Sequence, residues 1–270
     1  MEDRVSISIT EGVANVRLVR ADKMNALDQA MFEALVAATD RLASEKGLRA
    51  VVLSGEGRAF CAGLDMGRFA AMKDKDGNGI PGGEKRDLTV RTHGLANFAQ
   101  QAVWGWRQLP VPVIAVVHGV AFGGGFQLAL GADMRFLAPD TRMSIMEIKW
   151  GLVPDMAGTP ILATLVRDDI LRELTFTGRI FSAQEALSYG LATRIFDDPH
   201  AAGLEVAREI ANKSPDAIRA AKRMLNKLSV DPGPALLAES IEQQRLIGSP
   251  NQTEAVRANL EKRAPRFVDA

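Results

Sequence analysis

Three consecutive glycines, Gly123 to Gly125, separate the continuous apolar run "VPVIAVVHG" from the helical "FQLAL". A strand that is apolar on both faces belongs inside a layered sheet. A glycine-rich turn from such a strand into a helix aims free backbone N–H groups, and the positive end of the helix dipole, at one point. The residues that follow narrow what that point receives. A phosphate loop needs Lys and then Ser or Thr after its last glycine, where this chain has Phe126 and Gln127. The dinucleotide fingerprint needs Gly-x-Gly-x-x-Gly, a register that neither Gly119 nor the triplet supplies. Two uses remain: a turn packed too closely for any side chain, and a cradle for an oxyanion.

The rest of the chain is consistent with an α/β core. "VSISI" and "VANVRLV" alternate around Glu11-Gly12 as a hairpin. Asp28 can cap a helix whose apolar residues Met31, Leu35, Ala38 and Leu42 recur at helical spacing before Gly47, and "RAVVLSG" is a second buried strand. A charged, glycine-rich loop over residues 73–86 precedes an amphipathic helix expected over 87–108. "MRFLA" and "RMSIM" continue the strands. The last third reads as helices, with the capping-box spacing at Ser182/Glu185 and Ser249/Gln252, and with proline at the first helical position after Ser214. A boundary between residues 197 and 202 is expected, dividing an α/β core over 1–197 from a helical region over 198–270.

Charge and composition exclude several functions. Thirty-three basic residues balance thirty-three acidic ones, which disfavours a surface that binds nucleic acid by counterion release. One cysteine, Cys61, and three scattered histidines, His93, His118 and His200, offer no disulfide and no zinc spacing, so no metal is expected. The start of the chain lacks a signal-peptide pattern, and its most apolar stretch is too short for a membrane span. A cytoplasmic protein with no membrane partner is expected. "DKDGNG" from Asp74 has the alternating oxygens of a calcium loop, but the closing acid Glu84 comes one residue early, so a solvated loop is the better reading.

A second glycine turn, "AFCAGLDM", also follows a buried strand, so its N–H groups can face those of the triplet at the strand ends. Taken in order with it, "KMNAL", "HGVAFGGGFQLAL", "GLVPDMAG", "TGRIFSAQEALSYGLATRI" and "SPDAIRAAKRML" resemble the motifs of the crotonase (enoyl-CoA hydratase/isomerase) superfamily. The resemblance runs from the first strand to "LEKRAPRF". It implies a spiral of ββα units, a helical C-terminal region that forms a homotrimer or a dimer of trimers, and an acyl-CoA thioester substrate with no other cofactor. It also implies an enolate held by the N–H groups of Leu64 and Gly124. Asp65 would cap the first turn, while Lys23, Met24, Ala26 and Ala62 would line the CoA groove, with Gln127 beside the substrate.

The resemblance sharpens the question of acid and base. Hydratases of this family have one glutamate two residues after the triplet and another about twenty residues later; here the first position is Gln127 and the second Glu147. An amide can hold a carboxylate or orient water, but it does not exchange a proton at ordinary pH. Eight residues beyond Glu147 stands Asp155, where double-bond isomerases of the family also have an aspartate. Asp155 is therefore the expected proton carrier, with Glu147 assisting. The competing readings are a helix cap for Asp155 and an exposed acid paired with Lys149 or Arg142 for Glu147. His118 reads as structural, and His93 as a helix-surface or pocket-lining residue. A double-bond isomerase is favoured over a 2-enoyl-CoA hydratase. A non-catalytic CoA binder or an RNA-binding relative is the remaining class.

Overall fold

The computed structural model describes residues 3–67, 87–227 and 231–267; the calcium-like segment and the loop around it lie outside them. The expected hairpin forms from β1 (Val5–Thr10) and β2 (Val13–Leu18), antiparallel and in register Ile7 with Val16. Both turn residues have left-handed backbones, Glu11 at φ 51° and Gly12 at φ 78°, which matches the twist of the flanking strands. α1 (Gln29–Ser44) follows, with Asp28 accepting the Met31 N–H at 2.8 Å. Its face of Met31, Leu35, Ala38 and Leu42 is buried.

The chain then adds parallel strands one after another. β3 (Ala50–Gly55) joins β2, β4 (Val113–Val117) joins β3, β6 (Met134–Leu137) joins β4, and β9 (Arg194–Ile195) closes the six-stranded sheet. Every residue of β4 is buried, the reason its sequence is unbroken Val, Ile and Ala rather than alternating. A second, three-stranded sheet comprises β5 (Val120–Phe122), β7 (Arg142–Ser144) and β8 (Phe181–Ser182). The glycine triplet leaves β5, not β4, and enters α3 (Gly124–Leu130).

One expected helix is shorter than its periodicity suggests. α2 spans Phe98–Gln108, and residues 87–97 are turns. The start is set by Asn97, which accepts the Gln100 N–H, while the Gln100 side chain accepts the Asn97 N–H. This reciprocal cap fixes the first turn more firmly than an apolar pattern can extend it.

Seven further helices follow among the described residues. They are α4 (Gly158–Leu162), α5 (Asp168–Thr177), α6 (Ala183–Ser188), α7 (Pro199–Ala211), α8 (Pro215–Asn226), α9 (Gly233–Leu246) and α10 (Pro250–Glu261). Ser182 and Glu185 form the expected capping box. Ser249 accepts the Gln252 N–H, but the Gln252 side chain binds the Gly248 N–H instead of closing the box. Ser214 makes no side-chain cap. Across the boundary expected at 197–202, Ala207 of α7 packs with Val52, Ile114, Val116 and Phe136 of the large sheet. α9 lies against α4, and α10 lies against a 3-10 turn at Glu147–Trp150. The C-terminal helices thus share the core of the strands and reach the site described next.

Candidate active site

Two glycine turns are stitched together by backbone hydrogen bonds. Phe60 N–H donates to His118 O at 3.0 Å, Cys61 N–H to Val120 O at 3.1 Å, and Phe122 N–H to Cys61 O at 3.2 Å. The contact is too close for side chains. A Cβ on Gly125 would lie 2.2 Å from Cys61 O, and one on Gly63, whose φ is 90°, would lie 2.5 Å from Phe122 O. Gly123 has a φ of 50° with ψ −120°, a conformation that only glycine adopts without strain. Close packing and N–H display are therefore one arrangement. A Cβ on Gly63 would stand 3.8 Å from Gly124 N, so the two turns are immediate neighbours. Leu64 and Gly124 both line a large cavity, and among the described residues no acceptor takes either N–H.

That cavity measures about 1120 Å³. Its walls include Leu27, Phe32, Phe98, Trp150, Met156 and Ile247. Lys23, Met24, Ala26, Ala62 and Asp65, expected to contact CoA, all reach it. The loop that carries them is pinned by Asn25, whose side chain donates to Glu56 O and Ala59 O at 2.9 Å each, and whose φ of 56° is one that Asn tolerates. Asp65 accepts the N–H of Gly67, two residues on, at 2.8 Å, not one from the Ala62–Gly63 turn, and its other oxygen pairs with Arg20 at 2.6 Å. Although burial opposes ionisation, these two partners hold Asp65 below the usual carboxylate range.

Both expected acids face the same cavity. Glu147 is 8% exposed and accepts a hydrogen bond from Gln127 Nε2 at 2.6 Å, and its second oxygen has no partner. It is neither exposed nor paired with Lys149 or Arg142. Asp155 is half-buried and caps no helix: α4 begins at Gly158 with no side-chain cap from its own neighbourhood. Burial pushes Glu147 up to about 7, against the pull of the Gln127 amide. Burial, then the charges of Glu147 and Glu239, push Asp155 to about 8, while the Gln243 amide opposes the shift. The charge of Glu147 thus disfavours ionisation of Asp155, and both carboxyls are displaced toward the neutral range.

Gln127 does not contact the cavity and is corrected from a substrate contact to a support. It is 1% exposed behind Glu147. Its Oε1 accepts the N–H groups of Met156 and Gly158 at 2.9 and 3.0 Å, and its Nε2 is spent on Glu147. One amide therefore fixes both acid-bearing segments, which a second carboxylate at this position cannot do without a proton.

Two polar residues at the site escaped the sequence reading. Glu239 accepts from the N–H groups of Ala157 and Thr159 and from Gln100 Nε2, at 3.0, 2.8 and 3.0 Å. Gln243 accepts the Val153 N–H at 3.1 Å and lines the cavity beside Asp155. In α9 the buried face is Leu236, Glu239, Ser240 and Gln243, so a polar stripe at helical spacing, ordinarily a solvated face, points inward. His118 turns away to Gly57 O at 2.9 Å, and His93 lies outside the cavity wall against Phe98. Cys61 is buried, its thiol pushed up to about 12 by desolvation. Among the described residues no cluster of three His, Cys, Asp or Glu is placed to hold a metal, and no helix is long and apolar enough to cross a membrane.

The fold and this site define a class: a strand spiral with two neighbouring glycine turns and two carboxylates around one apolar cavity. Residues 8–270 match the model of the Enoyl-CoA hydratase/isomerase family, and the chain belongs to that family. A probable enoyl-CoA hydratase of Bacillus subtilis is 30% identical over 269 residues, 97% of this chain and 98% of that one. The human mitochondrial Delta(3,5)-Delta(2,4)-dienoyl-CoA isomerase is 32% identical over 222 residues, 80% of this chain and 66% of that one. The crystal structure of an enoyl-CoA hydratase/isomerase from Pseudoalteromonas atlantica superposes with a TM-score of 0.84 at 27% identity, covering 98% of this chain and 99% of that one. The crotonase-like spiral with a helical C-terminal region is thus the fold of this chain.

Proposed function

We propose that this enzyme shifts a carbon–carbon double bond in an acyl-CoA thioester, with Asp155 as proton carrier and Glu147 as its partner. The carrying observation is that both acids face one cavity and are raised into the neutral range, while the residue behind Glu147 is an amide that holds it still. With the thioester oxygen against the N–H groups of Leu64 and Gly124, transfer of a proton from C2 of a 3-enoyl chain to the ionised Asp155 carboxylate sends the C–H electron pair into a dienolate. The charge that develops on oxygen is met by donors already in place, each worth about 3 kcal/mol of barrier. Asp155 then returns a proton to C4, leaving the double bond between C2 and C3. No atom is gained or lost. Acyl-CoA as substrate follows the family, and the Lys23–Ala26 and Ala62 groove is the expected CoA contact.

Hydration of a 2-enoyl-CoA is favoured by one observation, the buried Glu147 Oε2 that lacks a protein partner and can hold a water. Incubation with 3-enoyl- and 2-enoyl-CoA in D₂O, followed by mass spectrometry, separates the two reactions. The isomerase reading expects a conjugated product without added D₂O. A product heavier by one D₂O makes the enzyme a hydratase, and full activity of both Asp155→Asn and Glu147→Gln on both substrates removes the acid–base assignment.

A further inference from the structure

We propose that Glu239 is a positioning residue for Asp155, acting through the turn at residues 155–159 whose N–H groups it binds and through a fixed negative charge behind that turn. The inference rests on the reading of Asp155 as proton carrier. Glu239 is 5% exposed and does not line the cavity, so it meets no substrate.

Its first task is geometric. Ala157 has a left-handed backbone at φ 64°, a conformation that strains a residue bearing a Cβ. It directly precedes α4, whose first N–H groups receive no cap from the local sequence. Glu239 supplies that cap from a helix 80 residues away, with Oε1 accepting from Thr159 and Oε2 from Ala157. The turn that carries Asp155 is held by α9 on this side and by Gln127 on the other.

Its second task is electrostatic. Glu239 is held by donors, the N–H groups of Ala157 and Thr159 and Gln100 Nε2, and the Thr159 side chain also bonds it, contacts that favour its ionised form. Burial raises its pKa and these donors oppose the rise. Gln100 is itself fixed by the Asn97 cap and by Arg91 Nη1 at 3.0 Å, and Arg91 Nη2 donates to Ser240 at 2.8 Å. The ionisable groups that bear on Asp155 are Glu147 from the 3-10 turn and Glu239 from α9. Glu239 faces Arg91 from the 87–97 segment as well as the two acids. An ionised Glu239 thus raises the Asp155 midpoint out of the ordinary carboxylate range toward neutrality, where the carboxyl can both take and return a proton.

Carboxyl ¹³C NMR of the aspartate-labelled protein, with Asp155→Asn for assignment, reads the Asp155 titration whatever the reaction turns out to be. Glu239→Gln is expected to lower the Asp155 midpoint by about one pH unit. It should move the corresponding limb of the kcat profile the same way, with KM changed less than about twofold. An unchanged midpoint in folded Glu239→Gln overturns the proposal. Should that variant not fold, glutamate-labelled wild-type protein decides: Glu239 ionised between pH 6 and 8 supports the fixed charge, and Glu239 protonated across that range overturns it. A shifted midpoint in a protein without isomerase activity sinks the isomerase reading and leaves the positioning role standing.

Discussion

The two halves of the site are held by different materials. Around Leu64 and Gly124 the structure is backbone against backbone: strand-like hydrogen bonds between Phe60–Cys61 and His118–Phe122, with glycines at the contacts where a Cβ would collide. Around Glu147 and Asp155 it is side chain against backbone: Gln127, Glu239 and Gln243 catch the N–H groups of residues 153–159 from three directions. A framework of main-chain bonds is insensitive to most substitutions but intolerant of added atoms. Side-chain supports can be exchanged one at a time, and each exchange retunes a carboxyl. In the proposed reaction, oxyanion binding belongs to the first material, and the proton transfers that would distinguish one reaction from another belong to the second.

Substitutions should separate the two. Asp155→Asn should give the largest kinetic effect, a fall in kcat of about 10²- to 10⁴-fold, with acyl-CoA affinity by calorimetry little changed. Gly125→Ala should break the other half by driving a methyl into Cys61 O, lowering stability by about 3 kcal/mol and reducing CoA affinity and kcat together; denaturant titration reads the loss. If Gly125→Ala keeps wild-type stability, the backbone contact is not what fixes the turn. Gln127→Leu should fall between the halves. Two buried N–H groups lose their acceptor, for a cost of about 2 kcal/mol, and Glu147 loses its donor, so the pH profile of kcat should move upward.

The last effect is one of pH. Burial leaves the folded-state pKa of Asp155 at about 8 and that of Glu147 at about 7, above the ordinary values of 3.8 and 4.5. The folded protein therefore binds more protons than the unfolded chain between about pH 4 and pH 8, and stability falls as pH rises through that window. Asp155→Asn removes most of the dependence. At pH 8 the variant should melt a few degrees above wild type, with the gap closing toward pH 4; melting curves across that range test the sign.

How far the sequence could be read follows the same division. Gly123 to Gly125 announce a contact that excludes side chains, because backbone geometry is local and glycine is nearly its only solution. Buried strands such as β4 and capped helices such as α1 and α6 are legible for the same reason. Residues 87–97 misled because an apolar period alone does not say where a cap will start the helix. Glu239 and Gln243 gave no signal, because their burial depends on a helix folding back across a long sequence separation, and a polar stripe ordinarily faces water.

The sequence by itself determined the glycine turns and, through the family resemblance, pointed to Glu147, Asp155 and Gln127, since each is a residue type at a fixed place in an ordered set of motifs. Only the tertiary structure decided that Gln127 stands behind Glu147 rather than beside the substrate. It also decided that the last helices reach the site, and that burial and neighbouring carboxylates together raise the pKa values of both acids. Those properties belong to distances between segments remote in sequence, and the electrostatics of a carboxyl depends on what surrounds it in space.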